Sequence, residues 1–144
     1  KDSIMGKYVL KDAYIAINGT AVSNFASSVE LEDTADEIDF TGFSTNGYKE
    51  IGQGLKDATI TCTFFSDFAS GSVNSIIQPL YASGGTFSVE IRPTSAAVSA
   101  TNPKATMTAR IYSYSGISGG VGDASTFDAA FRNAGTAGLV WGTT

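Results

Sequence analysis

The sequence predicts a mainly β fold, a sandwich or barrel of about seven or eight strands with one short flanking α-helix. Apolar residues recur at period 2 in seven or eight separate segments, as they do along half-buried strands. Glycines and turn dipeptides separate these segments, and only one stretch shows helical spacing. The composition agrees: Thr is abundant, and nine Phe, six Tyr and one Trp favour pleated, half-buried surfaces. At 144 residues the chain is long enough for one compact domain.

Residues 1–12 mix charge with Tyr8, Val9 and Leu10 in no clear period, and read as an N-terminal arm. The β domain is expected over 13–135. Ile15 and Ile17 alternate with Tyr14 and Ala16, and Asn18-Gly19 is a dipeptide that tight hairpins favour. Val29 and Leu31 alternate with Ser28, Glu30 and Glu32 in a second strand. After a break at Asp33–Asp36, Ile38 and Phe40 alternate with Glu37 and Asp39 in a third. The glycines of 42–54 fit no period, so a long loop is expected there, of a length usually tied to function. Ala58, Ile60, Cys62 and Phe64 then alternate with three Thr residues and Phe65, the cleanest strand of the chain. Val73, Ile76, Ile77, Leu80 and Tyr81 share one helical face over about 72–82, with Ser72 as N-cap and Gly84-Gly85 as the stop. Pro79 removes a backbone hydrogen bond, so a kinked or irregular turn is expected around Ser75–Pro79. Further strands fall at 87–92, 105–114 and 126–132, and a short one is expected at 139–141 within a C-terminal tail, 136–144.

Charge and residue usage exclude several chemistries. The formal net charge is −5, with no His and one Cys. The missing His removes the usual general base and the most frequent zinc ligand. One Cys closes no intramolecular disulfide, and the longest apolar run near the start, Ala13–Ile17, is too short for a signal peptide or a membrane span. A soluble protein folding in a cytoplasm is therefore expected. Residues 1–72 carry 11 acidic and 5 basic groups, so no basic patch offers tight binding to phosphate backbones.

The acidic run Glu30, Glu32, Asp33, Asp36, Glu37 and Asp39 lacks the spacing of a calcium loop. Glu30 and Glu32 share a strand face, but a glycosidase also needs an aromatic cleft. A solvated acidic sheet surface accounts for the run. The glycines of 116–122 lack the Lys of a phosphate loop, and Cys62 reads as a buried small apolar residue. Arg110, Tyr112 and Tyr114 alternate on one strand face, a thin basis for stacking nucleic acid and a better one for packing against a neighbour. No catalytic residue, metal site or cofactor is expected.

Three segments carry a family likeness: GLKDATITCTFFSD (54–67), TFSVEIRPTSAAVSATNPKATMTARIYSYSG (86–116) and GGVGDASTFDAAFRNAG (119–135), with Asn102-Pro103 entering one strand and Gly122-Asp123 entering another. Together they resemble the tail tube (major tail) proteins of long-tailed, non-contractile bacteriophages, which are related to the tube proteins of type VI secretion systems. The resemblance covers roughly 13–135. It implies a structural virion protein, not an enzyme, assembled in the bacterial host cytoplasm. Six copies would form a ring, and rings would stack into the tube through which double-stranded DNA leaves. Implied partners are other copies, a tape-measure protein, and tail terminator and distal tail proteins, with no membrane.

On that picture the exposed apolar residues of arm and loop, Tyr8, Val9, Leu10, Phe43, Tyr48 and Ile51, are candidates for the contact between rings. The carboxylates Glu30, Glu32, Glu37, Asp39, Asp57 and Glu90 are candidates for an acidic lumen that passes DNA without holding it. A head-decoration or fibre protein, or a carbohydrate-binding adhesive β-sandwich, is the alternative reading.

Overall fold

A computed structural model of the chain describes residues 7–43 and 46–144; the start of the arm (1–6) and residues 44 and 45 of the expected loop lie outside them. Eight strands form one antiparallel sheet: β1 (Tyr14–Ile17), β2 (Thr20–Ala21), β3 (Ala26–Asp39), β4 (Ile51–Phe65), β5 (Phe87–Arg92), β6 (Lys104–Tyr114), β7 (Thr126–Asn133) and β8 (Val140–Gly142). Their order is β2-β1-β5-β6-β7-β4-β3, and β8 pairs with the start of β6 beyond the end of β7. One helix, α1 (Val73–Ser83), connects β4 to β5. The mainly β fold class is thus the one the periodicity predicts.

The sheet is rolled around its own apolar face. Ile15 and Ile17 of β1 join Ile60, Cys62 and Phe64 of β4 in a single core cluster, although these strands lie near opposite ends of the sheet. Phe87 of β5 meets Phe131 of β7 edge-on at 5.8 Å, reaching past β6. Helix α1 adds Val73 and Ile77, and packs on β6. Between β1 and β2, Asn18 and Gly19 both take positive φ (53° and 85°), the geometry of the tight turn that dipeptide favours.

Four local expectations need correcting. The break expected at Asp33–Asp36 is absent: β3 runs 14 residues, with a register irregularity between Ala35 and Glu37. The long loop expected over 42–54 is shorter, because Ile51–Gly54 are the first residues of β4. Their glycines do not break the strand; they sit where side chains cross it. A Cβ at Gly52 would lie 2.5 Å from the Phe40 ring, and one at Gly54 2.9 Å from Ile38. The helix is continuous through Pro79, and Ser72 occupies the N-cap without a side-chain capping bond, its carbonyl accepting instead from the Ser75 hydroxyl at 2.7 Å. Gly84 ends the helix as expected, at φ 70° with its N–H on the Leu80 carbonyl.

The fourth correction concerns Tyr114. A bulge between Ile111 and Ser113 inserts one residue into β6 opposite β7 and reverses the alternation beyond it. Arg110 and Tyr112 stay outside, while Tyr114 turns inward, edge-on to Phe127 at 5.3 Å, its hydroxyl accepting from the wholly buried Asn74 amide at 2.8 Å. Asn74 in turn accepts from the Asp67 N–H at 2.7 Å, tying the helix start to sheet and loop. Asn102 does the same for the 94–103 loop, its side chain accepting from Thr94 N–H and donating to the Ala96 carbonyl at 2.8 Å.

Candidate functional site

The longest strands pair to build the feature that stands out from the core. β3 and β4 are antiparallel from Ala26↔Phe64 to Asp39↔Ile51. At the base, Ala58, Ile60, Cys62 and Phe64 are buried in the core. Beyond Asp33↔Ala58 the ribbon contributes no buried residue among those described, and its ladder closes with the Phe40 N–H on the Glu50 carbonyl at 2.8 Å. Asp39 lies eight residues past Leu31, about 26 Å along an extended strand. The other edge of β3 pairs with no strand among the described residues, leaving a row of backbone donors and acceptors open.

This ribbon concentrates the charge. Residues 30–57 hold eight acidic and two basic groups, a net −6 in a chain of net −5, so the remainder is slightly positive. Like charges at this density oppose any close approach of two ribbons. Asp39 accepts from the Thr41 backbone N–H at 2.8 Å; hydrogen bonds from the Thr41 side chain and N–H hold its carboxyl below the ordinary range.

The six candidate lumen carboxylates separate into three groups. Glu30 and Glu32 project from the outer sheet face opposite Thr61 and Thr59, and Asp57 lies on that face beside them, ion-paired with Arg132 of β7. Glu37 and Asp39 belong to the projecting half of the ribbon. Glu90 is three strands from β4 and is held at 2.6 Å by Arg92, whose guanidinium stacks on Tyr14 at 4.2 Å. Among the described residues no cluster of three or more His, Cys, Asp or Glu side chains is arranged to hold a metal ion. Cys62 is buried, and desolvation pushes its thiol up to about 12, so it is inert at neutral pH.

The six candidates for the contact between rings are all exposed but fall in two places. Phe43, Tyr48 and Ile51 sit at the tip of the ribbon. Tyr8 and Leu10 line a groove near its base, together with Val29, Leu31, Ile91 and Trp141, and Val9 is exposed between them. Sequence reasoning missed further exposed apolar residues on the ribbon, Ile38, Phe40 and Leu55, and the exposed Trp141 of β8. The signal was present as a period-2 match of Ile38 and Phe40 with Gly54 and Gly52, legible only once the two strands are paired.

No protein-family model and no curated protein matches the sequence. Solved structures do. One is a chain of the virion of a native gene transfer agent particle, at TM-score 0.75 and 16% identity, covering 94% of this chain and 98% of that one. The fold is that of a virion chain. A second is a chain from the tail of an empty gene transfer agent particle, obtained by helical refinement with C6 symmetry, at TM-score 0.63 and 15% identity over 83% of this chain and 82% of that one. The rolled sheet with helix α1 is therefore shared almost end to end with a chain of that gene transfer agent virion.

Proposed function

We propose that this protein is the tube subunit of a phage-like tail: six copies close into a ring, and rings stack into a hollow tube that conducts double-stranded DNA. The observation that carries the reading is an open sheet with a 14-residue free edge and a ribbon lacking any core of its own, in a fold shared with a tail of C6 symmetry. A free edge of that length is an aggregation hazard in a lone domain; in a ring each edge meets a neighbour and none is left open. A head-to-tail contact about a sixfold axis closes, whereas the contact between rings repeats without closing and yields a tube.

The arm and the ribbon tip supply the ring-to-ring contact, since their apolar side chains gain most from cover. The outer-face carboxylates Glu30, Glu32 and Asp57 contribute to a lumen wall that repels phosphates; Glu37 and Asp39 go with the ribbon, and Glu90 is neutralised by Arg92. Such a subunit is a virion component assembled in the bacterial host cytoplasm, working with a tape-measure protein and with terminator and distal tail proteins. It is not an enzyme and needs no cofactor. Negative-stain electron microscopy at rising protein concentration tests the proposal. Sixfold rings or hollow tubes are expected; a chain that remains monomeric even with tail partners present overturns it.

A further inference from the structure

We infer that Arg110, with Arg132 and Tyr112, is a contact point for a backbone phosphate of double-stranded DNA, an inference that rests on the tube-subunit reading and names what its wall touches. Arg110 and Arg132 are paired across β6 and β7, on the face away from the buried Ile111 and Phe131. Like charges placed directly opposite each other weaken a sheet, so the pair does nothing for the fold. Local rules broken in this way mark functional positions. Asp57 neutralises only one of the two: its carboxylate takes Arg132, whose guanidinium lies 5.9 Å from the centre of the Tyr112 ring. Arg110 is exposed and has no hydrogen-bond or ion-pair partner among the described residues.

The acidic groups of β3 stand too far off to cancel it. Register places Glu32, Thr59, Arg132 and Arg110 in one row across four neighbouring strands. At about 4.8 Å per strand, Glu32 is about 14 Å along the sheet from Arg110, beyond the Debye length of about 8 Å at physiological salt. The outer face is therefore divided, acidic along β3 and β4 and basic where β6 meets β7. What the basic spot offers is donors: a guanidinium with its fork unused, a second one strand away, and the phenol of Tyr112, 60% exposed. Such a fork matches two oxygens of a phosphate or a carboxylate. On the tube reading this face bounds the channel and the polyanion passing it is DNA, which selects the phosphate. A single contact per copy, solvated and screened by salt, touches the duplex and releases it.

The test follows arginine side-chain and backbone N–H signals of the full, isotope-labelled chain by NMR, below the concentration at which it assembles, as inorganic phosphate and then a short DNA duplex are added. Expected are shifts confined to Arg110, Arg132, Tyr112 and their neighbours on β6 and β7, reversed by salt. Arg110→Gln should weaken duplex binding and lower the slope of log affinity against log salt by about one, the share of one phosphate contact. Because it relieves the cross-strand repulsion, the same variant should unfold at an unchanged or higher urea concentration, which separates loss of a ligand from loss of the fold. Asp57→Asn, which releases Arg132, should tighten binding. A response to inorganic phosphate without one to the duplex marks an adventitious ion only and overturns the inference. So does a stronger response to poly-glutamate than to the duplex, which reassigns the spot to a protein carboxylate, and so do shifts at the N-terminal arm in place of β6 and β7. Electron microscopy of the same samples at higher concentration keeps the two readings apart. Tubes from a chain whose β6–β7 face ignores the duplex overturn this inference alone; a chain that takes the duplex at Arg110 but never assembles overturns the tube reading alone.

Discussion

Removing the ribbon should separate folding from the proposed assembly. Asp33 and Ala58 face each other in the ladder, so residues 34–57 can be replaced by an Asn-Gly turn without disturbing the register below. Among the described residues, none of the buried apolar core lies between Ser23 and Asp57. The side-chain interactions lost at the junction are the Arg132–Asp57 ion pair, half-exposed on both sides, and the exposed Thr34 hydroxyl bond to the Asp57 carbonyl. Exposed pairs of this kind contribute about 0–1 kcal/mol. The ribbon adds little of its own, because two strands without a core are marginal in water. The shortened chain should therefore unfold cooperatively with stability within about 1 kcal/mol of the parent, a Tm change of a few degrees, in thermal and urea titrations. By microscopy it should form no tubes. A loss above about 3 kcal/mol, the range of large core truncations, would refute the claim that the ribbon lies outside the folding unit. Normal tubes from the shortened chain would refute its part in assembly.

Other outcomes follow from single contacts. Phe131→Ala, at a fully buried position edge-on to Phe87, should cost about 3–5 kcal/mol in urea unfolding. Tyr114→Phe strips the acceptor from the buried Asn74 amide and should cost about 1–3 kcal/mol, whereas Tyr112→Phe, outside the bulge, should cost almost nothing. Because the Cys62 thiol is pushed up from 9.0 to about 12, the folded state keeps its proton longer than the unfolded chain. That contribution is whole below about pH 9 and is lost as pH rises toward 12, so wild type should lose more stability than Cys62→Ala between about pH 8 and about pH 10.5. Lysines in place of Glu30, Glu32 and Asp57 should make assembled tubes retain double-stranded DNA in a salt-dependent way, measured by co-sedimentation; unchanged retention would remove these residues from the lumen.

Most strands were legible because period 2 follows from one core behind one sheet face, and β5, β7 and the buried half of β4 obey it throughout. The misreadings share a cause: information held by the partner strand. Nothing local distinguishes Tyr114 from Tyr112; the bulge that separates them is defined by the register with β7. Gly52 and Gly54 look like loop residues until Phe40 and Ile38 lie across them. The acidic run was visible as composition, but its division between outer face and ribbon depends on where the core stops, at Ala58, which sequence does not mark.

The ribbon's independence from the core also has a consequence for how such a protein changes over generations. In most domains a substitution that improves a contact is first screened by its effect on folding. Between Asp33 and Asp57 that screen is weak, because no described side chain there is buried. On the proposed assembly, mutations in this stretch are judged almost entirely by the neighbours they meet. Sequence and length can drift there while the rolled sheet stays constant, so on the proposed assembly two lineages that still fold alike can cease to co-assemble through changes in a single hairpin.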